Sequence, residues 1–166
     1  MTSQYAYGKA LMRLGGANVA SGGTFDFDAN TFTVALVAST YALDAAKLDA
    51  DEFVDPAIIT HEITGGSYAR VNLANPTWTY VDDTVGVPGN VAKFSDSGDA
   101  ATTFPTLTNS FRYAVVFKNT GNNATSPLLS VVDFGSTQAS AGANFVISWP
   151  TTGIFRLKSV QTDLGG

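Results

Sequence analysis

Between Phe111 and Phe155 apolar residues alternate with others in one segment after another: FRYAVVF, PLLSVVDF, NFVISW and GIFRLK. Side chains on a strand point to opposite faces with period two, so this pattern predicts an antiparallel β-meander. In its first strand Phe111, Tyr113, Val115 and Phe117 share one face, expected to be buried, and Arg112, Ala114, Val116 and Lys118 share the other. A register that sets apolar against apolar places Phe111 opposite Phe134, Tyr113 opposite Val132 and Phe117 opposite Leu128. It also predicts an Arg112 to Asp133 cross-strand ion pair. A second hairpin, turning through Gly135 to Ala143, is expected to bring Phe134 near Phe145 and Val132 near Ile147, and a third to turn at Pro150-Thr151-Thr152-Gly153.

Towards the N-terminus the periodicity changes. Tyr7, Leu11 and Leu14 recur at helical offsets while Lys9 and Arg13 point elsewhere around the axis, which predicts a short amphipathic helix. Gly15-Gly16 supplies a stop and Ser21-Gly22-Gly23 a joint. Two placements are open: a helix packed on the sheet, or an arm docked on a neighbouring subunit. Phe25 and Phe27 then alternate with Asp26 and Asp28, and beyond Ala29-Asn30 the residues Phe32, Val34 and Leu36 share one side, so a hairpin with an aromatic face is expected. The Ala- and Asp-rich stretch that follows predicts a short helix over Asp44 to Phe53, ended before Pro56.

From Ile58 to Asn75 Gly65-Gly66 is a break and Ala69, Val71 and Leu73 mark a strand face; Trp78 and Tyr80 mark another strand. Turns are expected at Asp82-Asp83, Pro88-Gly89-Asn90 and Ser95 to Ala100, around a short strand near Val91 to Phe94. Phe104-Pro105 reads as an edge or a connection, because proline cannot donate to a ladder. Roughly eight to ten strands separated by turns predict an antiparallel β-sandwich or open barrel with a short N-terminal helix and one short inserted helix. The chain reads as a single β domain over 1–166, with 1–20 as helix or arm and 24–160 as β core.

Composition narrows the chemistry. A chain of 166 residues buries about two-thirds of its unfolded surface, and 11 phenylalanines supply ample core. The absence of cysteine excludes disulfides, thiolate metal sites and cysteine catalysis. Charged residues make up 14% of the chain against a usual share of about 25%, and a weakly charged surface suits a protein that works in an assembly. A net charge of −5 with no cluster of Lys and Arg argues against nucleic acid as a partner. No apolar run is long enough for a membrane span and the start lacks a signal-peptide pattern, which predicts a soluble, unexported polypeptide.

Candidate sites weaken on inspection. The single histidine, His61, lies beside Glu62, but no nucleophile elbow accompanies it and one histidine cannot build a multi-histidine zinc site. Asp44, Asp49, Asp51, Glu52 and Asp55 invite a calcium reading; an EF-hand started at Asp49 sets Phe53 and Val54 where a ligand and the glycine belong, so that motif fails. An irregular cation site and a solvated helix face remain for that segment. Gly15-Gly16 and Gly65-Gly66 lack phosphate-loop spacing. Trp78, Tyr80 and Trp149 are core residues or, alternatively, a platform for sugars. No pair of carboxylates stands out for glycoside hydrolysis. No residue is assigned a catalytic, cofactor-binding or metal-binding role.

Taken together and in order, the N-terminal helix ending near Leu14, FDFDANTFTVALVAST, DADEFVD, HEITGGSYAR, FRYAVVFKNT, PLLSVVDFGS and NFVISWPTTGIFRLK resemble a family of small virion structural proteins of tailed bacteriophages. The resemblance spans nearly the whole chain. It implies a non-enzymatic capsid decoration or cement protein, made in the host cytoplasm and carried on the capsid surface. The implied partners are the major capsid protein or other virion proteins, with a homo-oligomer, a trimer above all, as the working form. The candidate contact elements are the N-terminal segment and the polar loops Asn119 to Ser126 and Gly135 to Ala143. The alternative is a carbohydrate- or receptor-binding module of a tail fibre or baseplate; a hydrolase is the third and weakest reading.

Overall fold

The computed structural model describes residues 3–14, 23–83, 89–96, 101–150 and 153–158. In chain order its elements are β1 (Ser3–Ala6), α1 (Gly8–Leu14), β2 (Phe32–Val37), α2 (Ala45–Ala50), α3 (Val54–Ala57), β3 (Val71–Asn72), β4 (Pro76–Asp83), β5 (Gly89–Asp96), β6 (Thr102–Leu107), β7 (Ser110–Lys118), β8 (Leu128–Ala139), β9 (Ala143–Ile147) and β10 (Phe155–Lys158). They form a five-stranded antiparallel sheet in the order β1-β8-β7-β2-β3, a three-stranded sheet β10-β5-β4 and a two-stranded sheet β6-β9. The architecture is mainly β and sandwich-like, as the alternation predicts.

The central strands are buried on both faces. All six residues of β2 are buried, as are Tyr113 to Phe117 of β7 without a break, so the expectation of one buried face fails here. The reason is a layer on each side. Tyr113 packs edge-on against Tyr41 of the helical insert, with ring centroids 5.7 Å apart. Phe32 of β2 packs against Phe94 of β5 at 4.8 Å, and Phe27 stacks on both Phe32 and Trp78 at 5.2 and 4.6 Å. A strand covered on both sides reads as a continuous apolar run, which is what VALV and AVVF are.

Only the first hairpin of the expected meander forms. β7 pairs with β8 and Phe117 meets Leu128 as expected, but from Ala114 to Val116 the register lies one residue away, with Ala114 opposite Val132. Tyr113 therefore faces Asp133 rather than Val132, and Phe111 faces Gln138 rather than Phe134. The one-residue offset arises at an irregularity between Val116 and Phe117, and a second one, between Phe111 and Tyr113, contains Gly135 at φ +80°, a conformation glycine adopts without steric cost. Asp133 fastens this second irregularity by accepting the Gly135 N–H at 2.8 Å. The expected Arg112 to Asp133 pair is present, two-pronged at 2.9 and 3.0 Å.

The other two hairpins are corrected. β9 pairs with β6, and β10 with β5. The edge of β8 that β9 would need is taken by β1, with Gln4 opposite Val132 and Ser3 opposite Asp133. Phe134 and Phe145 still meet, at 5.6 Å, but as a contact between sheets. Pro105 lies where the β6–β9 register breaks, in the edge position expected for it.

Three smaller expectations change. Residues 24–28 form no strand: the Asp26 carboxylate accepts the N–H groups of Asp28 and Ala29, and Asn30 accepts that of Asp26, so side chains bond the backbone into a turn. Asp82 and Asp83 belong to β4, and Ser95 and Asp96 to β5, rather than to turns. The turn at Pro88 and much of that at 95–100 lie outside the described residues. In α1 the buried positions are Ala10 and Arg13, while Leu11 and Met12 are about half exposed, at 46% and 49%. α2 is shorter than expected and is capped by Asp44, whose carboxylate accepts the Lys47 N–H at 2.8 Å.

Candidate functional site

The N-terminal segment is part of the fold rather than a free arm. Tyr7 is fully buried, and its hydroxyl lies 3.1 Å from that of Tyr41, which donates to Asp51 at 2.6 Å. Six residues further on, the buried Arg13 donates to Glu52 at 2.6 Å and to the Gly23 carbonyl at 2.7 Å, with its guanidinium over the Phe53 ring. Burial raises the Tyr7 and Tyr41 hydroxyls above the ordinary tyrosine range, and Tyr68, which donates to Glu62, rises for the same cause.

These bonds give the acidic segment separate structural jobs. Asp44 caps a helix, Asp51 holds a tyrosine and Glu52 holds an arginine. Among the described residues no group of three or more His, Asp or Glu side chains is arranged to hold a metal ion. His61 is half-buried with Nδ1 3.1 Å from Thr40 Oγ1. Its neighbour Glu62 is turned to Arg70, accepting at 2.6 and 2.8 Å, which holds the guanidinium above its ordinary pKa. Trp149 is buried with its indole N–H donating to Thr102 Oγ1 at 2.8 Å, so it cannot serve a surface platform; Trp78 is half-buried against Phe27. The Tyr80 side chain lies outside the described residues.

The loop over 119–126 is the most organised exposed feature. Asn119 accepts the Gly121 N–H at 2.9 Å, Asn122 accepts that of Ala124 at 3.0 Å, and Ser126 Oγ donates to the Asn122 carbonyl at 2.8 Å. The Thr120 and Thr125 hydroxyls meet at 2.8 Å, and Arg70 donates to Asn123 at 2.8 Å. Sequence patterning marked this stretch as polar; its internal bonding was not legible, because Asn and Thr bond their own backbone in many geometries. By contrast the expected loop over 135–143 is mostly strand, since β8 runs to Ala139.

Loop and N-terminal segment are fastened to the same stretch. Val54 N–H donates to the Ser126 carbonyl at 3.0 Å, Leu128 N–H to the Glu52 carbonyl at 2.9 Å, and the Glu52 side chain holds Arg13. Residues 52–54 thus tie the two candidate contact elements into one unit. Among the described residues no helix is long and apolar enough to cross a membrane. Comparison with protein-family models, with curated proteins and with solved structures finds no match.

Proposed function

We propose that this protein is a virion structural component of a tailed bacteriophage, a decoration or cement protein that binds the major capsid protein and acts without catalysis. The observation that carries this reading is the rigid coupling of two exposed contact elements. The uncharged 119–126 loop is bonded within itself, and residues 52–54 hold it to the N-terminal helix that presents Leu11 and Met12. A pre-ordered surface loses little conformational entropy on binding, which suits a protein whose task is to stay bound. Repetition over a particle strengthens modest contacts: a symmetric oligomer, with a trimer as the favoured form, engages several capsid subunits at once and turns later contacts into intramolecular ones.

The test is reconstitution. Purified protein added to particles that lack it binds to a saturating stoichiometry and raises the temperature at which the particles release their genome. Binding that never saturates, or saturation with no change in release temperature, contradicts a cementing role.

A further inference from the structure

Two sheets end beside one another at an open cleft. β1 is the outermost strand of the five-stranded sheet and β10 that of the three-stranded sheet, so among the described residues each is paired along one edge only. Residues 4–6 line one wall of the cleft and residues 153–156 the other, around about 340 Å³. The Tyr7 N–H donates to the Leu129 carbonyl, so alternation along β1 turns the backbone N–H and C=O of Gln4 and Ala6 away from β8. These are the groups of an open sheet edge. The strand carries no charge, proline or bulge, the devices that ordinarily block such an edge.

The geometry points to a strand-acceptor site: an extended polypeptide segment bearing a carboxylate adds to the outer edge of β1 and pairs its carboxylate with Arg156. Three observations choose this occupant. Arg156 is the charged residue of the lining, is exposed, and forms no ion pair among the described residues, so the cleft favours an acidic ligand. A second groove, about 390 Å³ and mostly apolar, shares Gln4 with the first and continues past Phe134, Val146 and Trp149, so the path along β1 has room for apolar side chains at period two. The edge is also recessed: on a second folded copy β1 is walled by its own residues 153–156, which keeps edge from meeting edge and leaves room for a segment projecting free of its domain. The open edge and its lining are independent of the particle reading.

The experiment pans a displayed library of short random peptides on the purified full chain. The expected result is enrichment of sequences with alternating apolar residues and an Asp or Glu. A synthetic peptide of the enriched sequence slows hydrogen exchange at the Gln4 and Ala6 amides. Arg156→Glu weakens it by about tenfold or more, while Arg156→Lys retains most of the affinity. Ala6→Pro, which removes an amide directed away from β8, abolishes binding with the circular dichroism spectrum unchanged. The proposal is overturned if no carboxylate-bearing sequence is enriched, or if the enriched peptides protect amides elsewhere. It is equally overturned if the protein alone forms a dimer that Ala6→Pro dissolves, since a second folded copy then occupies the edge.

Discussion

The Arg13 guanidinium, wholly buried, meets the Glu52 carboxylate at 2.6 Å across a sequence separation of 39 residues. A buried cation is stable only while its partner remains, and removing one member of such a pair costs more than the pair contributes. Glu52 is partly exposed, so Glu52→Gln is expected to lower unfolding free energy by about 1–3 kcal/mol, measured by denaturant titration. Arg13→Met, which fills the space without a charge, is expected to cost less than Glu52→Gln. The reverse order contradicts the assignment.

Stability falls on the alkaline side, with a slope set by the buried tyrosines. Burial raises Tyr7, Tyr41 and Tyr68 in the folded chain, while in the unfolded chain each ionises near its ordinary value of about 10. The folded state then holds protons that the unfolded state releases. Their contribution is complete below about pH 10 and is lost as pH rises above it, by up to about 4 kcal/mol per pH unit for three groups together. Absorbance titration at the phenolate band is expected to show these tyrosines ionising only with unfolding. Smooth ionisation of every tyrosine in a folded chain contradicts their burial.

Acid acts through the opposite sign. The hydrogen bond from Arg112 is the main cause that holds Asp133 below the ordinary aspartate range, with the Gly135 N–H adding to it. Its contribution is present above the unfolded carboxylate value, about 4, and is lost as pH falls through the lower folded value. Asp133→Asn is therefore expected to destabilise the protein at neutral pH and to flatten its stability below pH 4. An unchanged acid limb contradicts the prediction.

The N-terminal segment is to be probed by point changes rather than by deletion. Removing residues 1–16 takes away β1 and the buried Tyr7 and Arg13, so the expected result is loss of the fold. Leu11→Ser and Met12→Ser change side chains that are half exposed and should shift the melting temperature by about 2 °C or less. Under the proposed function they weaken particle binding measurably. Unaltered binding removes this helix from the contact surface.

How much of this was legible in the sequence follows from where the information lies. The β7–β8 hairpin, the Arg112–Asp133 pair and α2 depend on residues close in sequence or matched in charge, and the pattern found them. The partners of β9 and β10 did not follow from alternation, because period two sets a strand's faces and says nothing of its neighbours. A competitor from far away, β1, held the edge that a local hairpin needed. Helical spacing sets Arg13 away from the Tyr7, Leu11 and Leu14 face, yet it is buried, and its partner Glu52 does not follow from a chain with 14 acidic residues. The polar composition of 119–126 marks it as a candidate contact loop, but the bonds that order it are visible only in the structure.

The measurement that bears most directly on the central claim is a reconstruction of the intact particle at a resolution that traces strands. The expected result is this fold in symmetric oligomers on the outer face of the head, with the 119–126 loop and α1 against the major capsid protein. Density for the fold in the tail or baseplate, or a purified particle that does not contain the protein, contradicts it.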